Sequence, residues 1–323
     1  MLKPDPGYTA AMASDVDMRL KQAFTHLVVE VLDLPQPNGG FSGAPAAHAL
    51  QNLMREAAQR GDLGEIRRLV DEHGAVLAPN AAADMVRVCP WQVPDLSESE
   101  KNLLQSAYCD DIGLTTQLMA PDRANLARFH TGFDQVRTLI GQHLPLWWRE
   151  FDTLVSTILV AQPQSNAGRF GGASAFAAWG SILVNPIGRA DPLPQMLTLI
   201  HESSHLKLFY AYLDDEITLN DPDERHGSPL RQEGRPMNGV YHAAFVLARM
   251  VAFLQDLIRS DAPLDGLGPN ARVALQTEAT QAITGFQTAH AVIEQHAVLT
   301  QRGKEIMAEA TAMVGGYENV DPV

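Results

Sequence analysis

The chain of 323 residues contains only two cysteines, Cys89 and Cys109. Two thiols cannot build a disulfide framework, nor an all-cysteine zinc site, which needs four. Positive charge is scarce as well: 24 Lys and Arg stand against 38 Asp and Glu, a formal net charge of −14. No basic cluster is denser than Arg67-Arg68, so neither nucleic acid nor a membrane surface is expected as a partner. Long apolar runs are missing. The most apolar stretch, Ala243 to Leu257, is broken by Arg249, Gln255 and Asp256 and falls short of the ~20 apolar residues of a membrane span. Met1 to Leu20 shows no basic head followed by an apolar segment, so no secretory signal is expected. These absences lead to the expectation of a cytoplasmic protein with reduced thiols. What the chain has in quantity is apolar residues, 46% against 19% charged, enough for a sizeable core.

The first part reads as helical. Met18 to Leu32 has helical spacing and is stopped by Asn38-Gly39-Gly40. Ala46 to His73 is rich in helix formers, with a break at Gly61 and a stop at Gly74. Pro79 to Pro94 reads as irregular. Ser97 caps a helix to Tyr108, with Glu98 and Glu100 in its first turn. Phe129 to Glu150 is helical but kinked or divided at Pro145. The character then changes. Leu154 to Ala161 and Trp179 to Val184 are strand candidates, separated by a Gly- and Ser-rich loop over Ser165 to Ala175. Asp191-Pro192 opens an apolar helix that runs to about Leu213. A polar stretch from Asp214 to Gly239 precedes a second apolar helix, Val240 to Ile258, and Pro269 to Val314 holds one or two more. The fold class expected is mainly α (α+β), with a helical N-terminal part over 1–125 and a metal-binding catalytic domain over 126–323.

The apolar helix contains His201-Glu202-Ser203-Ser204-His205, a match to H-E-x-x-H. Positions i and i+4 stand one turn apart on one helix face, so two imidazoles can grip one ion. Glu202 lies about 100° round the helix from His201, within reach of a metal-bound water. Two histidines and a glutamate among Leu197, Leu199, Ile200, Leu206 and Leu208 would be costly without a partner. The third ligand is open between two kinds of residue. Leu208 and Ala211 replace the glycine and histidine of the metzincin extension, which excludes that subclass. Glu216, Glu224 and Glu233 are available in the polar stretch. His242, in the first turns of the next apolar helix, is the stronger candidate beside an H-E-x-x-H helix. Arg225, Arg231 and Arg235 could capture a carboxylate, or could pair with the nearby acids.

The run LTLIHESSHLKL, followed by SPLRQEGRPMNGVYHAAFVLARM, resembles the HExxH-type iron(II)- and 2-oxoglutarate-dependent peptide β-hydroxylases, which tailor ribosomally made peptides. The likeness spans about Leu183 to Leu257 and rests on Ser228-Pro229-Leu230-Arg231, Arg235-Pro236, Gly239 and His242, with Leu230 where the family carries an aromatic. The resemblance implies a zincin-like metal-helix core with a small antiparallel sheet. It implies that His201, His205 and His242 hold Fe(II), that Arg231 or Arg235 binds the far carboxylate of 2-oxoglutarate, and that O2 and a precursor peptide are the partners. Glu202 would then orient a ligand or a water. The alternative is a Zn(II) metallopeptidase with Glu202 as general base. A structural metal in a non-enzymatic helical protein ranks below both, because such sites usually include cysteine. In the zincin-like picture the strand Trp179 to Val184 is an edge that pairs with extended peptide, with the loop Ser165 to Ala175 beside it. Arg169 in that loop reads as a solvated surface residue or a contact for an acidic substrate.

Overall fold

Prolines and capping side chains set where the helices begin. The computed structural model describes residues 1–79, 86–112, 114–164, 170–228 and 231–318. Helix α1 (Pro6–Phe24) starts well before Met18 and passes into a π-helical stretch over Thr25–Val31. Helix α2 (Pro45–Gln59) has proline in its first turn. Gly61, at φ 71°, turns the chain into α3 (Leu63–His73), whose cap Asp62 accepts from the Glu65 amide at 2.9 Å. At the start of α4 (Glu98–Ile112) the caps are reciprocal. The Ser97 amide and hydroxyl both donate to Glu100 Oε2 at 2.8 Å, and the Glu100 amide donates to Ser97 Oγ at 3.2 Å. Pro145 divides α5 (Arg123–His143) from α6 (Pro145–Leu154).

Strands are few and short: β1 (Arg87–Pro90), β2 (Leu118–Met119), β3 (Thr157–Val160), β4 (Gln162–Pro163), β5 (Gly172–Ala173) and β6 (Ser181–Val184). The largest sheet has the order β1-β3-β6-β5. β1, β3 and β6 run parallel, and only β5 is antiparallel to β6. This corrects the expected small antiparallel sheet. β3 and β6 are buried at every residue, the pattern of strands covered on both faces and joined by crossovers. The short pairs β2-β4 and β7 (His226–Ser228) with β8 (Arg231–Arg235) are further antiparallel ladders. β6 is paired on both sides, so it is not the open edge expected of Trp179 to Val184. β1 falls inside the stretch expected to be irregular. Pro90 closes it on the outer edge of the sheet, where a missing donor leaves no ladder bond unmade.

The chain packs into two units. One comprises Gly7–Thr131 and Asp152–Ala190, and holds the four-stranded sheet. Its core gathers Phe24, Phe41, Leu50, Met54, Leu159 and Leu183, with Tyr108 hydroxyl and Ser181 Oγ 3.0 Å apart inside it. The other comprises Met1–Pro6, Gly132–Phe151 and Asp191–Val323. It is built on α7 (Pro192–Ala211), α8 (Met237–Arg259), α9 (Ala271–His296) and α10 (Gln301–Glu318). α8 is its axis. A Cβ on Gly285 of α9 would lie 3.1 Å from Leu247, so glycine lets these two helices approach closely. α8 begins at Met237, three residues before Val240, because Pro236 supplies the extended cap. By length and composition α8 is long and apolar enough to cross a membrane, beyond the shorter stretch counted from sequence. Its most apolar window is 83% buried against the rest of the protein. Each large apolar side chain so buried contributes roughly 1.5–3 kcal/mol. The polar stretch before α8 is not all loop, since the β7-β8 hairpin occupies its second half.

Candidate metal centre

α7 is apolar nearly all round, and His201 and His205 share one face of it. Their ring centroids lie 5.2 Å apart with planes at 64°. His242, one turn into α8, meets His205 with centroids at 5.5 Å, planes at 24°, and the two Nδ1 atoms 3.2 Å apart. Whether these spacings suit a shared ion follows from elementary geometry. A metal about 2.1 Å from an imidazole nitrogen is about 3.2 Å from the ring centre, so two rings at a tetrahedral angle have centres about 5.3 Å apart. Two nitrogens separated by 3.2 Å, each about 2.1 Å from one ion, subtend about 100° at it. The centroid spacing of 201/205 and the nitrogen spacing of 205/242 are each of the size that a shared cation would require. Among the described residues no three His, Cys, Asp or Glu side chains together form a ready cation cage.

Burial keeps the His205 and His242 rings neutral. Burial, reinforced by His201, His242 and Arg235, holds His205 well below the ordinary histidine value. Burial, with Arg235, brings His242 down to about 3. A neutral imidazole presents the lone pair a metal requires. At 3.2 Å, one Nδ1–H can donate to the other ring's lone pair.

Arg235 is the cation beside this pair, close enough to act on both rings. It ends β8, and its side chain lies across Gly239. A Cβ on Gly239 would stand 3.1 Å from Arg235 Nε and 3.5 Å from its Cζ. Glycine in the first turn of α8 thus leaves room for the guanidinium. Arg231 belongs to β8, and its side chain lies outside what is described. Pro229, Leu230 and Arg169 lie outside the described residues. Glu202 is buried on α7, while Ser203 and Ser204 donate to the Ile200 carbonyl at 3.1 and 2.7 Å. Of the glutamates weighed as third ligand, Glu216 is exposed, Glu224 lies 3.4 Å from His226 Nε2, and Glu233 has no described side chain. Arg225 donates to the carbonyls of Pro222 and Glu224 in its own turn.

Two residues not singled out from sequence, Phe209 and Tyr212, line the histidines, and a third, Asn238, bonds to Tyr212. Phe209 stacks on His205 at 6.2 Å and lies 5.6 Å from His242. Tyr212 lies 5.2 Å from His242 and donates its hydroxyl to Asn238 Oδ1 at 3.0 Å. Burial raises the Tyr212 phenol further above its ordinary value, so it remains a donor. Phe209 and Tyr212 continue the stripe of His201 and His205 at four and then three residues, so the helical period alone could have found them. Asn238 lies one turn before His242 for the same reason.

No protein-family model matches the chain, and no curated protein matches it in sequence.

Proposed function

We propose that the chain is an iron(II)- and 2-oxoglutarate-dependent dioxygenase that β-hydroxylates a side chain of a ribosomally made precursor peptide, on a zincin-like helix pair. His201, His205 and His242 would hold the metal. The observation that carries the reading is Arg235, a guanidinium beside two neutral imidazoles, with Gly239 making room for it. A dicarboxylate co-substrate needs that pairing: metal ligands at one end and a fork of donors for the carboxylate at the other. When bound, iron with the oxoacid and O2 supplies the oxidising power to turn a C–H bond into C–OH, with succinate and CO2 as co-products. This chain's own residues do the rest. His205 and His242 stay neutral and present lone pairs. Arg235 orients the oxoacid through its far carboxylate. Phe209 and Tyr212 shield the histidines from water, and buried Glu202 orients a neighbouring ligand or water. The assay is oxygen- and 2-oxoglutarate-dependent succinate release with a mass gain of one oxygen on the cognate peptide. No succinate from iron-loaded protein with that peptide present overturns the proposal.

Glu202 favours a second reading. A buried glutamate next to the first histidine is what a zinc peptidase uses as general base toward a metal-bound water. That reading predicts peptide-bond cleavage by the zinc-loaded protein, abolished in Glu202→Gln, with no requirement for oxygen.

A further inference from the structure

A second polar cluster lies between the same two helices. Glu150 on α6 accepts from Lys207 Nζ with one carboxylate oxygen and from Arg249 Nη2 with the other. All three side chains are essentially inaccessible, at 2%, 0% and 1% exposure. Lys207 is two residues past His205 on α7. Arg249 is two turns past His242 on α8, on the same face. Arg249 also donates through Nε to Ser204 Oγ at 3.0 Å, next to His205, and through Nη1 to the carbonyls of Met1 and Leu2 at 3.1 and 2.9 Å. Lys207 donates to the Lys3 carbonyl at 3.2 Å. Trp147 extends the grip of α6, with Arg249 Cζ 5.0 Å over its ring and its indole N–H on Asp256 at 3.0 Å.

We infer that Glu150 is a positioning residue: its one carboxylate bridges a cation from each histidine-bearing helix and so holds His205 and His242 in register. Apolar ridges between two smooth helices tolerate a slide of α7 along α8 more readily than an ion bridge with fixed donors does. A buried ionic group is costly against apolar packing, and fixing a register is its best-attested use. What the register is for rests on the metal reading above, whereas the register itself does not depend on it.

Two readouts separate them. The first is metal-free: the His205–His242 ring pair, followed by imidazole 15N–1H NMR. The second is Co(II) titration, anaerobic, by visible absorption. Glu150→Gln removes the bridge. Because it leaves Lys207 without its counter-charge, which can unfold the chain, Glu150→Gln with Lys207→Met is made alongside it. That pair of changes keeps the cluster's net charge at +1, as in the native set of one anion and two cations. The expected result, in whichever variant folds, is loss of the ring-pair signal and Co(II) binding about tenfold to a hundredfold weaker. A folded double variant that keeps both the ring pair and native Co(II) affinity overturns the inference, leaving the cluster as a neutralised burial only. Native protein that shows the ring pair, loses it in the variants, and binds no Co(II) upholds the register and overturns the metal reading.

Discussion

One pair of helices carries two polar clusters of opposite character. In the Glu150–Lys207–Arg249 cluster, charge meets charge. Burial alone would raise the Glu150 carboxyl, but Arg249 and Lys207 outweigh it and hold it below the ordinary range. At the histidine face, burial instead drives the rings to their neutral form, with a cation, Arg235, as neighbour. The first cluster is closed, its strong donors and acceptors meeting one another. The second holds two neutral imidazoles with a guanidinium close enough to act on both. Burial is outweighed by ion pairing in the first cluster and sets the protonation state in the second.

The sharpest way to break this contrast is to remove the anion from the closed cluster. Glu150→Leu leaves two buried cations without a counter-charge and should cost about 3–5 kcal/mol in denaturant unfolding. A loss under about 1 kcal/mol would mean that the cations find other partners. The histidine face should respond to pH rather than to lost charge. The folded chain holds His242 at about 3 against 6.5 for the free side chain, so between these values the unfolded chain binds a proton the folded one does not. Stability of the metal-free protein is full above pH 6.5 and falls as pH is lowered. Between pH 6.5 and 5, His242 alone should account for about 1–2 kcal/mol, allowing for its partial exposure, and His242→Leu should flatten the curve by that amount.

Smaller effects sharpen the comparison. Gly239→Ala pushes on Arg235 while favouring the helix, so stability should change by less than about 1 kcal/mol. On the proposed function, 2-oxoglutarate-dependent turnover should then require roughly tenfold more co-substrate, a shift of about 1.4 kcal/mol. Unchanged dependence would remove Arg235 from the co-substrate site. Tyr212→Phe deletes one hydrogen bond to Asn238 at an accessible edge and should cost about 0.5–1 kcal/mol in thermal unfolding, the least of the four.

Much of the helical framework can be read from sequence because its punctuation is local: Gly61, Asp62, the Ser97–Glu100 pair, Pro145 and Asp191-Pro192 act within a turn of where they stand. The facing of His201 and His205 is local too, a matter of helical period. The sheet is less legible. β1 ends in a proline, and its strand character depends on β3, 70 residues away, as the register Arg87 to Thr157 records. The β7-β8 hairpin hides in a polar run without alternation. The Glu150 cluster could not be read at all, since its members stand 57 and 99 residues apart and only packing brings them together. His242 lies between these cases. Its helix is legible, while its distance from His205 is a property of the fold.

The most direct test of the central claim, that His201, His205 and His242 share one ion, is X-ray absorption on anaerobically iron-loaded protein beside its His242→Ala variant. The account predicts three imidazole nitrogens at about 2.1 Å in the native chain and the loss of one of them, with weakened binding, in the variant. Equal metal content and an unchanged nitrogen shell in the two proteins would contradict it.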